Sequence, residues 1–223
     1  MIEIVATKDK KETIFDDLHF INNTAKLNSI AKKYNYAIEK FCLPSNEKYF
    51  CFRHDDLTLQ TPPDVMKYKL DKLFEDSKIG VAGLIGTYIL EMSCVWWVPN
   101  RPLNTAGAIV QGYPDGRTQP MNDWPGTHTG LATVDGCCLF ISRKMLESGI
   151  RFDENLADYH FYDADICCQA LAAGYDIATI DIAATHASVG KIPQEIEEYR
   201  KAFFEKWSNK IDRWPISKYT KFK

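Results

Sequence analysis

The feature that most narrows the fold is the alternation of element types over the first 85 residues. Ile2-Glu-Ile-Val-Ala6 reads as a short strand ending at Thr7-Lys8-Asp9-Lys10. Leu27, Ile30, Ala31, Tyr34 and Ala37/Ile38 then recur at spacings of three and four, which predicts a helix capped by Asn23 or Thr24. Beyond the breaker Pro44-Ser-Asn46, Tyr49-Phe-Cys-Phe52 has the pattern of a buried strand and stops at Arg53-His54-Asp55-Asp56. Pro62-Pro63-Asp64 opens a second helix with an apolar stripe of Val65, Met66, Leu70, Leu73 and Phe74. Proline suits a first helical turn because the N–H groups there lack intrahelical partners. Ile79–Ile85 is the third strand. Such an order predicts an α/β chain with a mixed, mostly parallel sheet flanked by helices. Right-handed crossovers bring the carboxyl ends of the strands to one edge, where ligands of such sheets bind. Thr7-Lys8 and His54-Asp55-Asp56 both fall at that edge.

The second half is patterned differently. Residues 86–133 are rich in Gly, Pro, Asn and Trp, including Trp96, Trp97 and Trp124. A long stretch of weak periodicity in a chain of this kind is expected to be functional or mobile. Val134–Ile141 returns to strand character, and Ser142 is placed to cap a short helix up to Gly149. Asp158–Ala173 reads as an acidic loop entering a helix that stops at Gly174. Tyr175–Ala184 is strand-like and ends near His186, and Gln194–Trp207 carries Ile196, Tyr199, Phe203 and Trp207 at helical spacing. The tail 207–223 is open to reading as a lid, a membrane-surface contact or a frayed end.

With 223 residues, one domain over 1–223 is the expectation. Net charge is −3, from 27 basic and 30 acidic residues, which argues against non-specific nucleic-acid binding. The clusters Lys8–Lys11 and Lys218–Lys223 read as solvated faces. No apolar run reaches the roughly 20 residues of a membrane span, and the N-terminus lacks a signal-peptide pattern. Seven cysteines without any Cys-x-x-Cys spacing read as reduced and buried rather than as a disulfide framework or a zinc site. A cytoplasmic protein, peripheral to a membrane surface at most, is expected.

Three clusters could carry chemistry. In His54-Asp55-Asp56, two carboxylates and an imidazole leave a buried strand together, an arrangement that a divalent cation would neutralise; a simple turn is the alternative. Around Asp163 and Asp165, acids stabilise a helix N-terminus by ~0.3–1 kcal/mol. Asp153, Asp158, Asp163, Asp165 and His160 together nevertheless exceed what capping needs. His186 follows a strand and falls at the same sheet edge as Asp56, although a lone histidine is more often packed or exposed than catalytic.

The ordered combination "YFCFRHDD", a long aromatic loop, "VDGCCLFISRKML", "RFDENLADYHFYDADICCQALAAGYDIATI" and His186 resembles the family 2-like glycosyltransferases with a GT-A fold. It is most similar to the branch in which His-x-Asp replaces Asp-x-Asp, and the resemblance runs over roughly residues 1–207. It implies that Asp56 is a metal ligand beside the donor diphosphate, and that His54 contacts the ribose or the metal. His186 then completes the metal or pyrophosphate site. Tyr162-Asp163 falls on the family's Glu-Asp motif, so Asp163 becomes the candidate base and Asp165 a supporting carboxylate. Ala6, Thr7 and Asp55 are expected on the nucleotide side, and Trp97, Asp135 and Gly136 where sugar and acceptor are held.

The implied ligands are Mn²⁺ or Mg²⁺ and a UDP- or GDP-linked sugar. The implied reaction is an inverting transfer to an acceptor hydroxyl, on a saccharide, glycolipid or protein rather than on DNA. Residues 1–85 would form the nucleotide-binding half, 86–190 the sugar and acceptor half, and 191–223 a C-terminal helix and tail. The chemistry is coherent, since a cation stabilises the charge developing on the leaving phosphate while a separate carboxylate activates the hydroxyl. Trp96, Trp97 and Trp124 suit stacking on sugar faces or capping the core beneath the loop. A nucleotidyltransferase or pyrophosphorylase, and a catalytically degenerate nucleotide-sugar binding module, are the competing readings. The first of these usually has a glycine-rich loop after the first strand, and Ala6-Thr-Lys-Asp-Lys10 has no glycine.

Overall fold

The computed structural model describes residues 1–8, 17–94, 104–156, 159–187, 194–212 and 214–223. Six strands make the central sheet: β1 (Ile2–Ala6), β2 (Leu18–Ile21), β3 (Tyr49–His54), β5 (Ile79–Gly83), β11 (Cys138–Ser142) and β12 (Asp176–Thr179). Their spatial order is β12-β5-β11-β3-β1-β2. β1 is parallel to β2 and β3, β12 is parallel to β5, and β11 runs antiparallel between β3 and β5. All strands except β11 therefore point the same way, as the alternation of elements predicts.

Strand β3 explains why its apolar run is continuous rather than alternating. Phe50 and Phe52 face Tyr34 of helix α1 (Ile30–Ala37) and Ile166 of α4 (Tyr162–Ala172). Tyr49 and Cys51 join Met66, Leu70 and Leu73 of α2 (Pro63–Leu73) on the opposite side. A central strand covered on both faces needs apolar side chains at every position. A slip of one residue would exchange the two sets, so the register Ile4↔Phe52 and Ala6↔His54 is firmly specified. It places His54 beside the end of β1.

Several boundaries differ from the sequence reading. α1 begins at Ile30 with Ser29 as its cap, the Ser29 hydroxyl accepting from Lys32 N–H at 3.3 Å. Thr24 does accept an N–H, from Leu27 at 3.0 Å, but this closes a turn ahead of the helix. The end of α1 continues into a π-helical turn, Ile38–Cys42. Val65 of the expected α2 stripe is 40% exposed.

The expected strand over 79–85 divides into β5 and β6 (Ile85–Thr87), and that over 134–141 into β10 (Thr133–Val134) and β11. Between β10 and β11, Asp135-Gly136-Cys137 makes a turn in which the Asp135 carboxylate accepts from Cys137 N–H at 2.6 Å. β10, β6 and β7 (Thr105–Gly107) form a small second sheet. β4 (Leu57–Leu59), β13 (Ala184–His186), β8 (Val110–Gly112) and β9 (Thr118–Pro120) form a third. The described parts of 86–133 thus contribute short strands joined by turns and irregular chain, and two- or three-residue strands carry no readable period. Trp96 and Trp97 lie outside the described residues.

After β11 comes the short helix α3 (Arg143–Glu147), with Ser142 as its cap at 3.2 Å from Met145 N. Helix α5 (Ile196–Ser208) packs on α4, with the Phe161 and Phe203 rings stacked at 5.7 Å. The tail is not frayed. Ile216 is fully buried and exchanges two backbone hydrogen bonds with Leu90, both at 2.9 Å. All seven cysteines are buried and unpaired. Among the described residues, no helix is long and apolar enough to cross a membrane.

Candidate functional site

The site grows from the hinge between β3 and β4. His54 ends β3, Asp55-Asp56 makes the turn, and Leu57 begins β4, which pairs antiparallel with β13 so that His186 stands opposite Leu57. The Ala187 N–H donates to the Asp56 carbonyl at 2.9 Å, fixing the end of β13 against the turn. Two distant segments thereby deliver His54, Asp56 and His186 to one place, their ligand atoms all within 4.8 Å of one another. His186 Nε2 lies 3.2 Å from Asp56 Oδ1, and His54 Nδ1 lies 4.0 Å from the same oxygen.

This group fits a divalent cation. Asp56 Oδ1 and His186 Nε2 are shielded from solvent and face each other at 3.2 Å, with no further hydrogen-bond partner for either atom. Beyond that one contact both atoms keep lone-pair capacity that a cation could use. One carboxylate oxygen and two imidazole nitrogens suit Mn²⁺ and its neighbours in the first transition row. The electrostatics agree. Burial pushes the Asp56 carboxyl up, but the two histidines outweigh it and hold the group below its usual value. Burial also disfavours protonated His186, and Asp56 and Asp135 reverse that, leaving it raised. His54 is pulled down to about 4, chiefly by burial, against the attraction of Asp135, Asp56 and Asp55.

A second carboxylate sits in the first turn of α4. Asp163 Oδ2 accepts from Gly136 N–H and Oδ1 from Ala164 N–H, each at 2.9 Å. Burial, followed by repulsion from Asp135, raises its carboxyl to about 7 despite those N–H groups. The Asp163 contact requires glycine at 136, because a Cβ there would collide with Tyr162 Oη and lie 2.9 Å from Asp163 Cβ. Asp135 is the common neighbour, acting electrostatically on His54, His186 and Asp163.

The third part is the exit of β1. Ala6 pairs with His54, the Thr7 N–H donates to Ile21 O at 3.2 Å, and the Thr7 carbonyl accepts from Lys33 Nζ at 2.7 Å. Lys33 is only 5% exposed. Its ammonium is held below the usual lysine value, first by burial, with Asp55 opposing and Lys8 reinforcing the shift. Ala6, Thr7, Lys33 and Asp55 thus line the end of the sheet next to the His54 group.

Comparison with known proteins meets this geometry. The family described as "Glycosyltransferase like family" matches residues 16–207. The chain belongs to that family. No curated protein matches the sequence. Among solved structures, GalNAc-T7 with UDP, GalNAc and Mn²⁺ superposes with a TM-score of 0.54 at 10% identity, covering 86% of this chain. This chain corresponds to 38% of that one, so the likeness concerns the fold of the shared part. A197 from STIV aligns over 84% of this chain and 86% of its own at 12% identity, with a TM-score of 0.46. The architecture is the GT-A fold, and the chain is a glycosyltransferase.

Not every residue expected at this glycosyltransferase's site is there. Asp165 points into the contact between α4 and α5. It is fully buried, takes hydrogen bonds from Trp207 Nε1 at 2.9 Å and Gln169 Nε2 at 2.7 Å, and its Oδ1 lies 2.6 Å from Lys206 Nζ. Helical geometry is the reason, since residues two apart point to different faces of a helix and cannot both meet the cleft. Asp153 likewise serves this anchor, 2.6 Å from Lys206. Trp97 and Asp158 lie outside the described residues.

Other site residues escape the sequence reading. Lys33 falls among Ile30, Ala31, Tyr34 and Ala37 on the buried side of α1, and a cation amid that apolar pattern was the available signal. Tyr159 and Tyr162 both reach His54, with Tyr162 Oη 2.7 Å from Nε2 and Tyr159 Oη 3.2 Å from Nδ1. Tyr162 enters the sequence reading only as the residue before Asp163, and nothing in the spacing marks either tyrosine as a partner of His54.

Proposed function

We propose that this glycosyltransferase moves a sugar from a nucleoside-diphosphate donor, UDP- or GDP-linked, to an acceptor hydroxyl, with inversion and with the help of Mn²⁺ or Mg²⁺. The observation that carries the reading is the convergence of His54, Asp56 and His186, whose ligand atoms all lie within 4.8 Å of one another. His54, Asp56 and His186 would hold the cation. When bound, it would supply positive charge to the departing diphosphate. The UDP and Mn²⁺ in the structure of the GalNAc-T7 neighbour favour the same ligands here.

The other residues have separate tasks. Ala6, Thr7, Lys33 and Asp55 receive the nucleoside at the end of β1, while Asp135 and Gly136 shape the sugar side. Asp163 takes the proton of the acceptor hydroxyl at Oδ1 or Oδ2. A carboxyl near 7 ionises in the working range yet stays basic enough to accept that proton. A single in-line displacement by the acceptor hydroxyl, with Asp163 as its base, gives inversion. Residues 1–223 act as one catalytic unit. The acceptor is a saccharide, glycolipid or protein, since a net charge of −3 offers little to a polyanion such as DNA. Seven unpaired cysteines favour a reducing, cytoplasmic setting, including its membrane surface.

A thermal-shift series with UDP, GDP, CDP and dTDP, each with and without Mn²⁺, tests the reading. One nucleotide should stabilise the protein, and more strongly with the ion. Absence of any shift would reject it. Asp163→Asn should keep nucleotide binding and lose turnover, whereas a binding module would show no transfer even in the unmodified protein.

A further inference from the structure

His54 ends a short chain of contacts that runs through Tyr162 to the Gly136 carbonyl. Tyr162 Oη lies 2.8 Å from the Gly136 carbonyl oxygen and 2.7 Å from His54 Nε2. A phenol has one proton, and a carbonyl oxygen has none to give. The Tyr162 hydroxyl must therefore donate to Gly136 O, because otherwise two oxygen lone pairs would oppose each other at 2.8 Å. Its remaining capacity is as an acceptor, so the short contact to Nε2 requires the proton on that nitrogen. In a neutral ring, a proton on Nε2 leaves Nδ1 bare. Nδ1 is the nitrogen 4.0 Å from Asp56 Oδ1, on the side of His186.

We propose that Tyr162 is a positioning residue that locks His54 as its Nε2–H tautomer and aims the Nδ1 lone pair at Asp56 and His186. The lock begins in the backbone. Gly136 supplies the carbonyl, and its missing side chain leaves room for the phenol, since a Cβ would collide with Tyr162 Oη. Tyr162 itself is buried and fully packed, its ring 6.1 Å from those of Tyr34 and Phe152. It thus has little freedom to turn away. Tyr159 Oη, 3.2 Å from Nδ1, can donate its own proton to the same lone pair until a cation takes it. The inference deepens the proposed metal site and rests on that reading for its purpose, though not for its geometry.

The test is ¹⁵N NMR of the imidazoles in the metal-free full-length chain, with His54 assigned by its loss in His54→Gln, followed by Mn²⁺ titration read by EPR. The expected spectrum has His54 protonated at Nε2. Tyr162→Phe should turn this into a tautomer mixture and weaken Mn²⁺ binding roughly 10–100-fold, the usual effect of losing an outer partner of a metal-bound histidine. A proton on Nδ1 in the unmodified chain would overturn the proposal. So would a folded Tyr162→Phe that keeps both tautomer and Mn²⁺ affinity. If that variant fails to fold, the spectrum of the unmodified chain decides alone. An Nε2–H spectrum in a chain that binds no Mn²⁺ would uphold the lock and reject the metal reading instead.

Discussion

Lys206→Met is the most direct test of how the C-terminal helix is held. Lys206 Nζ lies 2.6 Å from both Asp165 Oδ1 and Asp153 Oδ2. Asp165 has no exposure to solvent, and its carboxyl is raised by burial even with Lys206, Gln169 and Trp207 opposing that shift. Removing one partner of a buried pair typically costs ~3–5 kcal/mol because a lone charge remains. Here Trp207 Nε1 and Gln169 Nε2 still donate to Asp165, so the lower end, about 3 kcal/mol, is expected. For a chain of this size that is roughly 6–12 °C in Tm. Asp165→Asn should cost less, about 1–2 kcal/mol, since the ammonium keeps Asp153 and a neutral amide can stay buried. Urea unfolding and calorimetry measure both. The reasoning fails if Lys206→Met costs under about 0.5 kcal/mol, the size of a surface substitution. It also fails if Asp165→Asn abolishes transfer while stability is unchanged, because Asp165 would then be chemical rather than structural.

Asp163→Asn should lower turnover ~10²–10⁴-fold with nucleotide affinity retained, as measured by initial rates beside calorimetric titration. The pH profile of kcat/KM should rise with unit slope on the acid side and level off above about 7, because the base must be ionised and its carboxyl is raised to that value. A profile flat from pH 5 to 8 would remove Asp163 from the role. The same raised carboxyl destabilises the fold as pH climbs from the unfolded value near 4 through about 7, and urea midpoints should show the Asn variant sparing that loss. His186→Ala should weaken Mn²⁺ binding at least tenfold by EPR. Gly136→Ala should destabilise by ~1–3 kcal/mol through collision with Tyr162 and cut transfer, visible as a lower Tm and a lower rate together.

What the sequence made legible follows from the range of the interactions involved. β1, β3, β5 and α2 are written in local patterns, either a continuous apolar run or a helical stripe behind Pro62-Pro63, and they appear where expected. β2 is four residues of Leu-His-Phe-Ile at the sheet edge, too short and too mixed to show a period. The same holds for β6, β7, β8 and β10, each paired with a strand well away in sequence, and for β9, a three-residue return of a hairpin with β8. Asp135-Gly136 lay hidden inside what reads as one strand. The turn there depends on the Asp135 carboxylate capturing Cys137 N–H and on Tyr162 filling the space above Gly136. Asp163 and Asp165 look alike in sequence and part company only when the neighbours of α4 are known, Gly136 on one side and α5 on the other.

The histidine in His54-Asp55-Asp56 is the departure that, in sequence, most resembled decay of the site, and its surroundings argue otherwise. Asp55, Asp56 and Asp135 all act on position 54, and the ring there is almost wholly buried. A carboxylate at 54 would meet burial and three negative neighbours, all of which raise its pKa, and would tend to hold a proton that a cation must displace. The imidazole answers the same surroundings by the opposite route. Burial favours its neutral form and outweighs the carboxylates, so above about pH 4 it carries a free lone pair without adding charge. In the proposed metal site, histidine at 54 would trade some attraction for a ligand already in its binding form before an ion is bound. That balance would need the ring held in one tautomer, which is the role proposed for Gly136 and Tyr162.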